Sequence, residues 1–195
     1  MTSQTRHTLY TDGAALGNPG PGGAGAVLQD PAGRTVFRLG VYLGRSTNNE
    51  AEYQSLILGA RRSWEKGARE LDILMDSELV VRQMLGNYKV KAPGLKLFHD
   101  RAREALSRFE DWSISHVRRE FNAEADRMAG DAAFLGKIGR LGVGEEISGT
   151  DPTAEETPPD GQGDGAGGGV QEPTGFEGAA GFRGRKSLKD PPGAS

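Results

Sequence analysis

His7-Thr8-Leu9-Tyr10-Thr11-Asp12-Gly13-Ala14-Ala15 is the stretch from which the rest of the chain can be interpreted. Its alternation predicts a β-strand that delivers Asp12 to its end, where a glycine-rich loop, Gly17 to Gly23, follows. Strands disfavour both Asp and Gly, so an Asp-Gly pair at this point indicates a hairpin turn or a functional site. Asp12 is therefore the first candidate site residue.

Three further acids occupy comparable positions. Glu52 lies in the first turn of the first predicted helix, Asp76 at the exit of the fourth predicted strand, and Asp126 near the start of the last predicted helix. Each acid alone is best explained as a solvated, capping or helix-dipole residue. Together they predict one acidic pocket, because strand ends and neighbouring helix starts can meet at one edge of a sheet.

The composition limits the classes of function. The 195 residues include no cysteine, which excludes disulfides and thiolate metal sites. Residues 1–136 carry 18 Lys and Arg against 17 Asp and Glu, net +1, whereas residues 137–195 carry 6 against 10, net −4. Contact with nucleic acid would therefore be local. Without a signal-like start or a membrane-length apolar run, we expect a cytoplasmic protein that does not bind membranes.

Periodicity predicts an α/β domain over residues 1–138, with elements in the order β-β-β-α-β-α-α-β-α and a sheet of mixed strand direction. The first helix is expected to begin at Thr47 or Asn48. Ser77 and Asn122 are expected to cap the second and last helices. Residues 139–195 are rich in Gly and Pro and sparse in apolar residues, so we expect a disordered tail or linker there.

The chemistry of a shared acidic pocket follows from electrostatics. Two carboxylates about 4 Å apart repel by roughly 4 kcal/mol at an effective dielectric constant near 20. Four can stay together only if protons or divalent cations neutralise them. Oxygen ligands favour hard cations such as Mg²⁺ or Mn²⁺, and two such ions can activate a water and stabilise the leaving oxygen of a phosphodiester.

The motifs around these acids resemble those of type 1 ribonuclease H, in the same order, over about residues 7–135. This resemblance implies a ribonuclease H-like fold, with a five-stranded mixed sheet flanked by helices. The segments that carry it are Tyr10-Thr11-Asp12-Gly13-Ala14, Gly17-Asn18-Pro19-Gly20-Pro21-Gly22-Gly23-Ala24-Gly25, Thr47-Asn48-Asn49-Glu50-Ala51-Glu52, Asp76-Ser77 and Asn122-Ala123-Glu124-Ala125-Asp126.

The resemblance implies hydrolysis of the RNA strand of an RNA–DNA hybrid with two Mg²⁺ or Mn²⁺ ions. By it, Asp12 would bridge both ions and Asp126 would join it on the ion that activates water. Glu52 and Asp76 would hold the ion beside the leaving oxygen, with Glu52 near the ribose 2′-OH. The residues implied to contact substrate are Gly13, Asn18, Thr47, Asn48, Asn49 and Ser77.

The chain departs from the bacterial pattern in two places. Many members carry a histidine in the loop before the last helix, whereas here that loop is Arg118-Arg119-Glu120-Phe121. The nearest histidine, His116, lies in a predicted strand, and a structural role is favoured for it. The basic protrusion that grips the hybrid in many members is reduced to three lysines. Such short forms resemble members that also act on duplex RNA, so duplex RNA is a second candidate substrate.

Other functions stay open at this stage. The chain could be a monomeric endonuclease, a non-catalytic binder of hybrids or duplex RNA, or another metal-dependent nuclease of the same architecture. A nucleotide-binding loop is a weaker alternative, because the segment from Gly17 to Gly25 lacks the Lys-Ser/Thr pair of a P-loop.

Overall fold

Three antiparallel strands form one side of the sheet. The structure is a computed structural model that describes residues 6–149 and 183–186. β1 (Arg6–Ala15) pairs with β2 (Gly20–Gln29), and β2 pairs with β3 (Thr35–Ser46). The predicted three-strand meander is thus confirmed. β1 is longer than predicted, so that Asp12 lies inside the strand rather than at its end.

A helical crossover leads to the parallel half of the sheet. α1 (Asn48–Glu65) begins with a capping box, in which the Glu50 N–H donates to the Thr47 hydroxyl and the Thr47 N–H donates to the Glu50 carboxylate. The predicted start of this helix is confirmed. β4 (Glu70–Met75) then pairs in parallel with β1.

Two helices and a strand complete the parallel half, and a last helix follows. The elements are α2 (Glu78–Met84), α3 (Pro93–Leu106), β5 (Asp111–His116) and α4 (Ala123–Lys137). β5 pairs in parallel with β4. α3 starts two residues earlier than the predicted Leu95, because proline suits the first turn of a helix.

Two short strands were not predicted. β6 (Glu146–Gly149) pairs antiparallel with β3, and β7 (Arg183–Lys186) pairs antiparallel with β5, giving the order β6-β3-β2-β1-β4-β5-β7. Both come from the segment expected to be a disordered tail. They pair with the open edges of the five predicted strands, where backbone N–H and C=O groups would otherwise lack partners. The rest of that predicted tail, 150–182 and 187–195, lies outside the described residues.

Helices cover both faces of the central sheet. On β2, Gly25 faces α4, where an added Cβ would collide with the carbonyl oxygen of Ala125, so α4 lies very close to the strand. The neighbouring Ala26 faces Gly59 of α1 on the opposite side. α3 packs on α1. The largest buried apolar side chains include Leu9, Leu28, Leu56, Leu71, Ile73, Met75, Met84, Leu106 and Ile114. Within the described part of the chain, no helix is long and apolar enough to cross a membrane.

Candidate active site

Three carboxylates meet where β1, β4 and the first turn of α1 come together. Asp12, Glu52 and Asp76 each offer a carboxylate oxygen within 4.8 Å of the others. Gly13 makes this approach possible, because a Cβ at that position would collide with the backbone of Ala51 and Glu52. α1 can therefore lie directly against β1 and bring Glu52 beside Asp12.

Asp126 joins the cluster through Asp12. The carboxyl group of Asp126 interacts electrostatically with that of Asp12, and the Arg119 Nη2 donates to Asp126 Oδ1 over 2.5 Å. Asp126 does not belong to the group of three within 4.8 Å. All four acids nevertheless line one open cleft of about 310 Å³, together with Arg119 and Asn48. The structure thus brings all four predicted acids to one place.

The electrostatics of the cleft favour neutralisation. Burial, followed by the charges of Glu52 and Asp76 and the interaction with Asp126, raises the pKa of Asp12 to about 9. Burial and the charge of Asp76 raise the pKa of Glu52 to about 8, although the Gly13 N–H, Asp12 and Arg119 act in the opposite direction. Without bound cations, the cluster therefore holds protons at neutral pH.

The donor set fits a hard divalent cation. Glu52 Oε2 is buried and has no hydrogen-bond partner among the described residues, so it is a buried acceptor without a donor. The neighbouring ligand atoms are carboxylate oxygens, which hard cations prefer. A bound cation would satisfy that oxygen and replace the protons that the raised pKa values otherwise require.

Asn122 has a role that the sequence interpretation missed. It was predicted to cap α4, but its side chain makes no capping hydrogen bond. Instead its Nδ2 donates to the Thr11 carbonyl oxygen and to Asp76 Oδ1, each over 3.0 Å, and the residue is only 1% exposed. An asparagine directly before a helix can either cap the helix or bind distant groups from a buried position. The sequence alone does not distinguish these two roles. Ser77 likewise occupies the N-cap position of α2 without a side-chain capping bond.

The residues predicted to contact substrate lie in and near the cleft. Gly13 and Asn48 line it. Asn48 Oδ1 accepts from the Ala15 N–H over 3.0 Å, and the Asn48 N–H donates to Asn18 Oδ1 over 3.2 Å. These bonds join the glycine loop to the start of α1. The remaining predicted contacts, Asn18, Thr47, Asn49 and Ser77, are not among the residues that line the cleft.

The cation that lines the cleft is an arginine rather than the histidine of the bacterial pattern. Arg119 sits in a short 3-10 turn, Arg119–Phe121, immediately before α4. Its side chain is 75% exposed, and its pKa is raised by the hydrogen bond and charge of Asp126. His116 ends β5 opposite Met75 and does not line the cleft. The sequence signal for Arg119 was its place in the loop that carries a histidine in other members.

Comparisons with known proteins agree with this geometry. Residues 10–132 match the family described as reverse transcriptase-like. A ribonuclease HI of Halobacterium salinarum is 42% identical over 123 residues, which are 63% of this chain and 62% of that protein. The chain matches only 34% of the length of a bifunctional protein of Mycobacterium tuberculosis, at 44% identity over 125 residues.

Solved structures share the fold of the described domain. RNase H1 from Halobacterium salinarum gives a TM-score of 0.64 at 42% identity, over 65% of this chain and 96% of that chain. The N-terminal RNase H domain of the Mycobacterium tuberculosis protein gives 0.67 at 38% identity, over 69% and 97%. LC11-RNase H1, crystallised with an RNA/DNA hybrid, gives 0.64 at 39% identity, over 67% and 99%.

The region that matches the family contains the whole acidic cluster. It begins two residues before Asp12 and ends six residues after Asp126, and it covers more than half of the chain. The chain belongs to the reverse transcriptase-like family of ribonuclease H domains.

Proposed function

We propose that this protein is an endonuclease that hydrolyses the RNA strand of RNA–DNA hybrids and leaves 5′-phosphate ends. The observation that carries the proposal is the approach of Asp12, Glu52 and Asp76 to within 4.8 Å in an open cleft that Asp126 also lines. The relative LC11-RNase H1, at 39% identity, was crystallised with an RNA/DNA hybrid. The family match and the cluster together favour a catalytic domain over a binding module.

The proposed cofactor is a pair of Mg²⁺ ions, with Mn²⁺ as a substitute, held by Asp12, Glu52, Asp76 and Asp126. Bound cations would activate a water and stabilise the leaving 3′ oxygen. The protein's own groups hold the ligands in place. Asp12 contacts both Glu52 and Asp126, which suits it to a shared position at the centre of the cluster. Gly13 lies against the backbone of Ala51 and Glu52, which keeps the Glu52 side chain beside Asp12.

Recognition of the hybrid is proposed to occur at the junction of the glycine loop and α1. Gly13 and Asn48 line the cleft, and Asn18, Thr47, Asn49 and Ser77 are the further residues proposed to contact the hybrid. The Asn48 Oδ1 is occupied by the Ala15 N–H, so its amide nitrogen is left to donate toward substrate. The minor groove of an A-like duplex displays 2′-hydroxyls, which short amide side chains can contact without sequence preference. Duplex RNA displays the same groups and is the proposed second substrate.

The proposed working form is a monomer in the cytoplasm. All four acids belong to one chain, so the site needs no residue from a second copy. The absence of cysteine is compatible with a reducing interior.

The test is cleavage of labelled RNA annealed to DNA, beside duplex RNA and single-stranded RNA, in Mg²⁺ and in Mn²⁺. We expect internal cuts in the hybrid. Asp12→Asn should lower the rate at least a hundredfold, because it removes the carboxylate shared by the cluster. The matched control is Asp131→Asn, which changes an exposed acid on α4 whose ion pair with Arg127 is 3.8 Å long; it should keep full activity.

Three outcomes would contradict the proposal. Equal cleavage rates for the wild type and Asp12→Asn would show that Asp12 is not required for catalysis. Hybrid binding without cleavage over a full Mg²⁺ and Mn²⁺ titration would indicate a binding protein. Stepwise loss of nucleotides from an end would indicate an exonuclease.

A further inference from the structure

A second concave surface lies between α1 and α3, away from the acidic cleft. This α1–α3 groove has a volume of about 130 Å³ and is lined by Gln54, Ile57, Leu58, Arg61, Phe98 and Arg101. Arg61 follows Glu52 by nine residues on the same helix. At 1.5 Å per residue it lies about 13 Å farther along the axis, so the groove is separate from the acidic cleft.

The chemistry of the α1–α3 groove is that of an apolar floor with cationic edges. Ile57 is 6% exposed, and Leu58 and Phe98 are half-buried. Arg61 and Arg101 are exposed, and within residues 6–148 neither forms an ion pair. Exposed arginines beside apolar surface favour an anionic segment that carries an apolar anchor, because guanidinium groups pair with carboxylates in a forked geometry.

The chain itself supplies such a segment. β6 lies at the β3 edge of the sheet and β7 at the β5 edge, so residues 150–182 must connect opposite edges. Six strand spacings of about 4.8 Å amount to about 29 Å, which a connection of this length can span. The connection contains seven acids and no Lys or Arg. β6, the strand that precedes the connection, is tied to α1, because Arg62, the neighbour of Arg61, binds Glu146 over 2.7 Å.

One part of this connection matches both features of the groove. Among residues 150–182 the large apolar side chains are Val170, Phe176 and Phe182. Phe176 alone has an acid beside it, Glu177, and a second acid, Glu172, four positions earlier. Phe176 lies seven positions before Arg183 in β7, and seven extended residues reach up to about 25 Å. The outer surface of the helix layer lies about one helix diameter, 10–12 Å, from the sheet. The segment from Phe176 to β7 is therefore long enough to reach that surface.

We propose that residues 172–177 bind in the α1–α3 groove of the same molecule. Phe176 packs on the apolar floor, and Glu172 and Glu177 pair with Arg61 and Arg101. The acidic connection is thereby held on the helix face opposite α4, away from the nucleic-acid cleft, where its negative charge would otherwise compete with substrate.

Cross-linking in the full chain tests the proposal, because the chain has no cysteine of its own. The test pair is Gln54→Cys with Thr174→Cys. The control pair is Gln54→Cys with Thr157→Cys, which belongs to the same acidic connection but precedes Phe176 by 19 positions in the sequence. Under mild oxidation at low protein concentration, the test pair should form an intramolecular disulfide at least fivefold faster than the control pair.

Charge reversal identifies the contacts. Adding Arg61→Glu and Arg101→Glu should slow cross-linking of the test pair at least fivefold, and adding Glu172→Lys and Glu177→Lys to that protein should restore it. Phe176→Ser should also slow it. Melting curves and hybrid cleavage check that these proteins are folded, since none of the changed residues lies in the acidic cleft.

The contradicting results are distinct. Equal cross-linking rates for the test and control pairs would show that residues 172–177 do not bind specifically in the groove. Disulfides between molecules, visible as dimers on non-reducing gels, would assign the groove to a second copy. Unchanged cross-linking with weaker hybrid binding in the charge-reversed protein would assign the arginines to nucleic acid.

Discussion

Asn122 and Asp76 are joined by a hydrogen bond of 3.0 Å, in which Nδ2 donates to Oδ1, although they lie 46 positions apart. The same nitrogen donates to the Thr11 carbonyl oxygen beside Asp12. One buried amide therefore connects β1, the exit of β4 and the start of α4. Because these are the elements that carry Asp12, Asp76 and Asp126, Asn122 fixes the spacing of three of the four carboxylates.

Asn122→Ala should weaken cation binding rather than only the fold. We expect the Mg²⁺ concentration for half-maximal cleavage to rise 10- to 100-fold, which is the usual cost of removing a residue that orients a metal ligand. A Mg²⁺ titration of hybrid cleavage measures it. The control is Asn87→Ala in the exposed connection after α2. A lower melting temperature with an unchanged Mg²⁺ requirement would show that Asn122 serves the fold alone.

The metal-free protein should lose stability as pH rises. The pKa values of Asp12, about 9, and Glu52, about 8, lie above the value of about 4 expected in the unfolded chain, so the native state holds protons that the unfolded state releases. This stabilisation is complete below about pH 4 and is lost as pH rises through 8 to 9. With EDTA present, the melting temperature should therefore fall between pH 5.5 and pH 9.

Mg²⁺ should reverse that loss. Because cations replace protons on the cluster, added Mg²⁺ should raise the melting temperature more at pH 9 than at pH 6. Asp12→Asn removes one of the buried charges, so it should flatten the pH dependence and reduce the effect of Mg²⁺. The same Mg²⁺ effect at both pH values would contradict the assignment of the raised pKa values to this cluster.

Arg119→Ala should weaken hybrid binding. Arg119 is the exposed cation at the edge of a cleft otherwise lined by four acids, where a substrate phosphate must approach. We expect KM for the hybrid to rise several-fold with kcat little changed. The slope of log KM against log salt should become shallower by about 1, as expected for the loss of one phosphate contact.

The neighbouring Arg118 gives the matched control for that measurement. It is similarly exposed, pairs with Glu120 over 3.6 Å and does not line the cleft, so Arg118→Ala should leave the salt slope unchanged. A fall in kcat with constant KM in Arg119→Ala would instead assign Arg119 to the transition state.

Local chemistry determines what the sequence could predict. Thr47 and Asn48 are both good N-cap residues, and this local preference was enough to predict the start of α1, where Thr47 and Glu50 form a capping box. Asn122 was misassigned because its partners, Thr11 and Asp76, are distant along the chain. Gly13 was noticed for its motif, whereas its contact with the backbone of Ala51 and Glu52 appears only when α1 is packed on β1.

β6 shows the same limit. Glu146-Ile-Ser-Gly has no alternation long enough to predict a strand, and it becomes one because β3 offers an open edge. Arg62 on α1 then reaches Glu146 across 84 positions. Such pairing depends on the folded sheet, so the hydrophobic periodicity of a short sequence segment cannot predict it.

The boundary of the catalytic domain is predicted to lie after residue 149 rather than at 138. Removing β6 exposes the edge of β3 and the contact of Ile147 with Gly40, and it breaks the Arg62–Glu146 pair, which contributes at most about 1 kcal/mol at such exposure. A chain ending at 138 should therefore melt several degrees below one ending at 149, since about 1 kcal/mol shifts a domain of this size by roughly 3–4 °C. Thermal unfolding followed by circular dichroism measures the difference. Glu146→Gln in the chain ending at 149 removes the ion pair but keeps the strand. This substitution should lower the melting temperature by less than half of the difference between the two truncated chains. Identical melting temperatures for those two chains would place the domain boundary at 138.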